Sequence, residues 1–385
     1  MSELKEQPIA RIILEEGITL FRFPDGKIGA LENRCPHRFL PLSEGKITSK
    51  GLQCGYHGLT FDENGTCSLA PTQDTIPNRA NVRAYPVIEH MGLVWVWMGD
   101  KEISKSVKVF DLPEYHDSEW GVAFGDALKI DANYLLLCDN LCDPTHVNYV
   151  HPTTLGEPDG LDAPVKYKQE EWGVTTSRWT LNQQPVGFFK SFGNFSGAVD
   201  RWQIYHMRLP SVAIIDFGSK DVKQDPFHDT SQPIQVFSCH FITPVTKNTS
   251  IDYWLHVRNF KTDNIKTGEE ISEQFRIAFE EDKIILGLIQ EEEEKINNAP
   301  RIGLELDASA GLFRRMVEQR IRQEQRLILW IYFLKRVRTA QRQFKANSWD
   351  TLGTIDRNYA TFIQSRKLTS TSVRVLFFAV FQDVT

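Results

Sequence analysis

Apolar positions in the first hundred residues come in short runs. Ala10–Leu14, Thr19–Arg22, Ile28–Leu31, Leu59–Phe61, Val82–Val87 and Leu93–Met98 are separated by turn-forming stretches such as Pro24-Asp25-Gly26 and Glu63-Asn64-Gly65. Runs of this length between such residues predict strands, and Asn64-Gly65 fits a tight hairpin turn. The texture changes after Asp111-Leu112-Pro113. Residues 131–151 read as helical, and Val212–Phe217, Ile234–Ile242 and Ser250–Val257 read as strands. Across 268–297, Ile271, Phe275, Ala278, Phe279, Ile285, Leu286 and Ile289 recur at helical spacing and draw one stripe along a long helix. The expected class is α+β: an all-β domain over 1–110, then a domain over 111–325 with one sheet and flanking helices.

Charge adds a third division. From Arg326 onward ten basic residues face three acids, although the 385-residue chain carries −6 overall. Residues 326–385 are therefore expected to be a basic extension. Its two readings are a segment without catalytic role and a basic amphipathic helix, Leu327–Ala346, lying on a membrane or on the acidic body. The chain has no basic footprint for nucleic acid. Its longest apolar runs, Leu327–Leu334 and Val375–Phe381, fall far short of the ~20 residues of an integral membrane span. The first residues carry acids where a signal peptide carries bases. With six cysteines, too few for a disulfide scaffold, the expectation is a cytoplasmic protein whose clustered Cys and His bind metal.

The first cluster is Cys35-Pro36-His37 with Cys54-Gly55-Tyr56-His57, sixteen residues separating His37 from Cys54. Two thiolates and two imidazoles suit tetrahedral zinc or a [2Fe–2S] cluster with Cys on one iron and His on the other. A zinc finger takes its cysteines from one half and its histidines from the other. Here each half supplies one of each from a loop tip, which matches the two-iron cluster better. Gly55 and Gly58 permit close backbone approach. Pro71 is either part of a loop over this cluster or an ordinary turn proline.

The second cluster lies in Asn140-Leu141-Cys142-Asp143-Pro144-Thr145-His146, followed five residues later by His151. On a straight helix this separation leaves the two rings about 140° apart, so they converge only where the helix bulges or ends. Asp282 falls inside the apolar stripe of the late helix, where an ionised carboxylate needs a partner or a metal. Glu280, Glu281 and Glu291–Glu294 read as solvated helix-face charges. His146, His151 and Asp282 together would form a two-His-one-carboxylate set, which leaves iron positions open.

These stretches, with Glu281-Asp282-Lys283, resemble the Rieske non-haem iron oxygenases, specifically the oxygenase component of the vanillate O-demethylase and dicamba monooxygenase branch. The likeness covers roughly residues 10–325. It implies a Rieske domain followed by a helix-grip catalytic domain with a curved antiparallel sheet. It also implies a [2Fe–2S] cluster on Cys35, His37, Cys54 and His57, and Fe²⁺ on His146, His151 and Asp282. Such chains form head-to-tail homotrimers, so Asp143 is expected to bridge the cluster ligand His57 of one copy to His146 of the next, with Asn140 beside the iron. Electrons would come from NAD(P)H through a separate flavin and iron–sulfur reductase, in keeping with the lack of a G-x-G-x-x-G motif here. O2 would serve to hydroxylate or O-demethylate a small aromatic substrate such as a methoxybenzoate, with His240 and Arg208 as candidate pocket groups. Two features depart from the family. The N-terminus lacks a further aromatic-rich segment, and the tail runs on past the usual end. The competing reading is a Rieske-type electron-transfer protein with a silent second domain.

Overall fold

The computed structural model describes residues 4–5, 7–156, 163–195, 197–222, 232–296, 301–344 and 378–382, with side chains as far as 326 in the last helix. The N-terminal domain is built from three small antiparallel sheets. β1 (Ile9–Ile13), β2 (Glu16–Arg22) and β3 (Ile28–Glu32) form the first. β4 (Lys46–Thr48), β5 (Gly51–Gln53), β6 (Thr60–Phe61) and β7 (Cys67–Leu69) form the second, and β8 (Val87–His90) with β9 (Leu93–Trp97) belong to the third. Val82–Val87 is not one strand. Pro86 cannot donate to a ladder, so only the bridge Leu31–Ala84 forms before β8 begins at Val87.

After a short α1 (Lys101–Ser104) come β10 (Gly121–Phe124) and β11 (Leu128–Ile130). α2 (Tyr134–Asn140) and α3 (Val147–Val150) follow. The predicted helix over 131–151 is thus two helices. Asp143 Oδ1 accepts from Thr145 N and Oγ1, each at 2.7 Å, and the residue before a proline disfavours helical geometry. The large sheet then adds β12 (Val165–Glu170), β13 (Gly173–Gln183), β14 (Val199–Arg208), β15 (Val212–Asp221), β16 (Ile234–Thr246) and β17 (Thr249–Arg258), with α4 (Gly187–Phe192) between β13 and β14. Its order is β10-β17-β16-β15-β14-β13-β12, antiparallel throughout, with β11 also on β17.

The long helix α5 (Ile265–Lys295) starts where the Asn264 side chain accepts from Thr267 N and packs on the β10 end of this sheet. Ile271, Phe275, Ala278, Phe279 and Leu286 of the expected stripe are buried, whereas Ile285 and Ile289 are each 40% exposed. α6 (Ala308–Phe344) runs unbroken through Arg326, so the charge boundary is not a backbone boundary. Phe313 of α6 is wholly buried, and Arg314 grips the Asp139 carboxylate of α2 through Nε and Nη2. Ser309 Oγ donates to Cys142 O. α6 thereby clamps the segment that leads to His146.

The domains share one main core. Ile13, Leu20 and Trp95 belong to the same buried cluster as Phe241, Ile242 and Trp254. Leu14 N and Glu15 N donate to the Pro244 and Val245 carbonyls, joining the first hairpin to β16. A smaller core of Phe21, Leu31, Leu42, Leu52, Phe61 and Val82 surrounds Cys35 and Cys54. Of the basic tail, β18 (Phe378–Gln382) lies antiparallel on β9, while 345–377 and 383–385 fall outside the described residues. No helix among the described residues is long and apolar enough to cross a membrane.

The docking of α6 yields a stability prediction. Phe313→Ala should destabilise the protein by about 3–5 kcal/mol in denaturant titration, the usual cost of emptying a buried aromatic site.

Candidate metal centres

The two N-terminal ligand loops are near copies of each other in backbone. Cys35 N donates to Leu40 O at 2.9 Å, and Cys54 N donates to Leu59 O at 2.8 Å. Phe39 N and Gly58 N return to the Cys35 and Cys54 carbonyls. Phe39 and Gly58, equivalent in the two loops, both take left-handed φ, +62° and +75°. The β4–β5 hairpin joins the loops, and Gly45 and Gly55 permit their contact, since a Cβ at Gly55 would meet Glu44 O at 2.7 Å.

Both thiols are buried and free of disulfides, whereas His37 and His57 are exposed with ring centroids 4.5 Å apart. Burial, with Cys54 alongside, pushes the Cys35 thiol up from its ordinary value. Two such sulfurs become thiolates readily when a cation neutralises them. Among the described residues this quartet is not a set of donors within 4.8 Å of one another, as a single ion requires. A thiol pair inside and an imidazole pair outside fit a two-iron cluster, sulfur on the inner iron and nitrogen on the outer. Pro71 lines the same recess as His37 and His57, its Cγ close to Gly58.

The second centre joins α2–α3 to α5. His146 stands at the N-terminal end of α3 and His151 at its C-terminal end, where the backbone leaves helical geometry at φ −117°, ψ 46°. That exit turns the ring back, and the two imidazoles lie 5.4 Å apart at 77°. Asp282 Oδ1 sits 3.6 Å from His146 Nε2 and 3.2 Å from His151 Nε2, and all three donors lie within 4.8 Å of one another. Ligands roughly 2.1 Å from an ion and at right angles are about 3 Å apart, so the trio fits one metal ion.

The outer atoms fix which nitrogen faces inward. His146 Nδ1 donates to Asp143 O at 2.6 Å, His151 Nδ1 to Glu281 Oε2 at 2.7 Å, and Asn140 Nδ2 to Asp282 Oδ1 at 2.9 Å. Asn140 Oδ1, buried without a partner, adds a neutral oxygen close to this centre. Burial lowers the basicity of His146 despite the nearby Asp282, favouring the neutral ligand form. Burial opposes charge on His151, but Asp282 and Glu281 outweigh it and raise its pKa. Burial likewise opposes ionisation of Asp282, and His151, His146 and Asn140 together hold it below the ordinary carboxylate range.

Two readings need correction. Glu281 is not a solvated helix-face charge, because its longer arm reaches the side of the His151 ring while Asp282 faces Nε2. The Asp143 group that touches His146 is its backbone carbonyl, the carboxylate being turned to Thr145.

A narrow cavity opens beside this centre between the sheet and α5. Phe217, Phe275 and Phe279 give it an aromatic wall, and Arg201, Gln203, Tyr205 and Ser238 bring polar groups. Arg201 Nη2 donates to Leu155 O and its guanidinium lies over Phe189. The inward side of β14 is a strict alternation, Arg201-x-Gln203-x-Tyr205, in which two polar residues take core positions. That departure from an apolar pattern was the available signal for the pocket, and an apolar scan passes over it.

His240 does not line the cavity. Its Nδ1 bonds to Asp252 Oδ2 at 2.7 Å and its Nε2 to Ser238 Oγ at 3.0 Å, so it stands behind the hydroxyl that does. Arg208, at the end of β14, is packed over Trp172 and Phe110 and is likewise not among the lining residues.

Residues 1–86 match the Rieske [2Fe-2S] domain family, and 130–323 match the vanillate O-demethylase oxygenase C-terminal domain family. The toluene-4-sulfonate monooxygenase system iron-sulfur subunit of Comamonas testosteroni is 33% identical, the alignment covering 82% of this chain and 92% of that one. The vanillate O-demethylase oxygenase subunit of a Pseudomonas strain is 32% identical over 84% and 92%. A crystal structure of dicamba monooxygenase with 3,6-dichlorosalicylic acid superposes with a TM-score of 0.76 at 28% identity, covering 82% and 93%.

Asp282→Ala should abolish retention of mononuclear iron while leaving the absorbance of the first centre intact. Glu281→Gln should fold normally and lose its iron to a chelator at roughly 10–100-fold lower concentration, the usual effect of removing an outer partner of a metal-binding histidine. Iron analysis after graded chelator challenge measures both.

Proposed function

This chain belongs to the Rieske non-haem iron oxygenases of the vanillate O-demethylase type, and from that premise we propose that it hydroxylates or O-demethylates a small aromatic acid. The observation that carries the reading is the cavity, where an aromatic wall and the cation of Arg201 stand against the face of the His146–His151–Asp282 trio. Iron held there, supplied with electrons through the cluster on Cys35, His37, Cys54 and His57, would provide the activation of O2.

The residues do the positioning. Phe217, Phe275 and Phe279 favour the ring of the substrate and exclude water, while Arg201 favours an acid group. Ser238 offers a hydroxyl whose orientation is held by His240 and Asp252. A methoxy group hydroxylated at its methyl carbon becomes a hemiacetal, which releases formaldehyde and leaves a phenol. The relatives act as oxygenase components of multi-component systems, which supports a separate reductase. An NAD(P)H-dependent flavin and iron–sulfur reductase is the finer proposal. A reduced, cytoplasmic setting accords with six cysteines of which none is in a disulfide.

Transfer between copies is the other part of this reading. Asp143 borders a recess rimmed by Ile285, Ile289, Ile302 and Leu306, with Ile302 86% exposed. Phe39 and Tyr56, beside the cluster ligands, are 67% and 58% exposed. Two apolar surfaces, one at each centre, support a head-to-tail homotrimer in which His57 of one copy meets the Asp143 carboxylate of the next. The electron path then continues from the Asp143 carbonyl to His146.

With reductase, NADH and O2, a panel of methoxylated aromatic acids should include one that releases formaldehyde stoichiometrically with O2 uptake. Absence of substrate-dependent O2 uptake across methoxylated and unmethoxylated acids would favour simple electron transfer. Arg201→Gln should raise KM for the acid roughly tenfold or more, and change KM for the neutral amide of the same compound much less. Asp143→Ala should retain both metal centres yet lose most turnover, and normal turnover in that variant would remove the bridge.

A further inference from the structure

Away from both centres, a third set of donors meets at the junction between the domains. His90 is the last residue of β8, and His116 is the last residue of the 3₁₀ turn Pro113–His116 on the connector. His90 Nε2 and His116 Nε2 each lie 2.8 Å from the same atom, Asp111 Oδ1. The three donor atoms fall within 4.8 Å of one another, and the rings are 5.7 Å apart. We propose that His90, Asp111 and His116 form a binding site for a divalent transition cation of the zinc class, separate from both iron centres.

The donor chemistry repeats that of the buried trio: two imidazole Nε2 atoms converging on one aspartate oxygen. Two nitrogens and one oxygen suit Zn²⁺, Co²⁺, Ni²⁺ or Cu²⁺, whereas Ca²⁺ and Mg²⁺ call for a shell of oxygens. Separations of 2.8 Å are a little tighter than the roughly 3–3.4 Å expected around such an ion, so slight side-chain rotation admits it. The side chains of His90, Asp111 and His116 are 28%, 51% and 49% exposed, which leaves room for water to complete the coordination.

The backbone that carries these donors is already fixed. Trp95 Nε1 donates to His90 O, and the Met91-Gly92 turn that follows takes left-handed φ at both residues. Tyr115 N bonds to Leu112 O within the connector turn, and the Tyr115 ring packs on Phe124. Gly92 lies against both Phe124 and the Tyr115 hydroxyl. An ion at this point would join a hairpin of the N-terminal domain to the strap entering the catalytic domain. Its consequence would be a stiffer junction, without a part in the chemistry of the cavity.

The test uses the full-length protein with its iron in place. Equilibrium dialysis against Zn²⁺ should show one zinc per chain bound in addition to undiminished iron. His90→Ala, His116→Gln and Asp111→Asn should each weaken that binding at least roughly tenfold while the visible spectrum and iron content stay unchanged. Zinc should also raise the unfolding temperature of the parent protein and not that of His116→Gln. The exposed positions of Asp111 and His116 keep those two variants informative should His90→Ala misfold. Absence of bound zinc, zinc that enters only as iron leaves, or zinc held equally by His116→Gln and Asp111→Asn would each overturn the proposal.

Discussion

A carboxylate removed from water must be compensated, and Asp282 is only 5% exposed. Its compensation is supplied by His146, His151 and Asn140, from a segment about 140 residues earlier. That pairing requires α5 to lie against α2 and α3, which in turn fixes how α5 covers the sheet and where the cavity opens. Much of the remaining architecture serves this demand. α6 clamps α2 at Asp139 and the turn after it at Cys142, Arg178 of β13 donates to Pro144 O within the turn before His146, and Gln290 of α5 caps the chain at Asn133 N.

The candidate donor sets were legible because their determinants are local or periodic. Cys35, His37, Cys54 and His57 occupy loop tips whose turn residues are adjacent in sequence. Asp282 announced itself as a charge within an apolar helical stripe. Glu281 did not, because its role depends on where the end of α3 places one side of the His151 ring, 130 residues away. The stripe itself was read too wide. Ile285 and Ile289 have helical spacing but lie on an outer face of α5, next to the buried Leu286 and Gln290.

The large sheet was only half legible for a related reason. β15, β16 and β17 are apolar enough to stand out, whereas β13 reads Gly-Val-Thr-Thr-Ser-Arg-Trp-Thr-Leu-Asn-Gln and still buries Thr176, Arg178 and Thr180. Opposite them on β14 stand Tyr205, Gln203 and Arg201. A sheet that must line a polar cavity sacrifices the hydrophobic alternation by which strands are recognised. Of these two strands only β14 lines the cavity, beside the readily legible β15 and β16.

The outer hydrogen bonds around the buried trio also bear on how such a centre can be adjusted. Both rings are turned by groups of the protein itself, the Asp143 carbonyl and Glu281, which leaves their Nε2 atoms facing Asp282. A donor set whose rings are oriented by neighbours outside it can be retuned in affinity from those neighbours, with the donors themselves left in place.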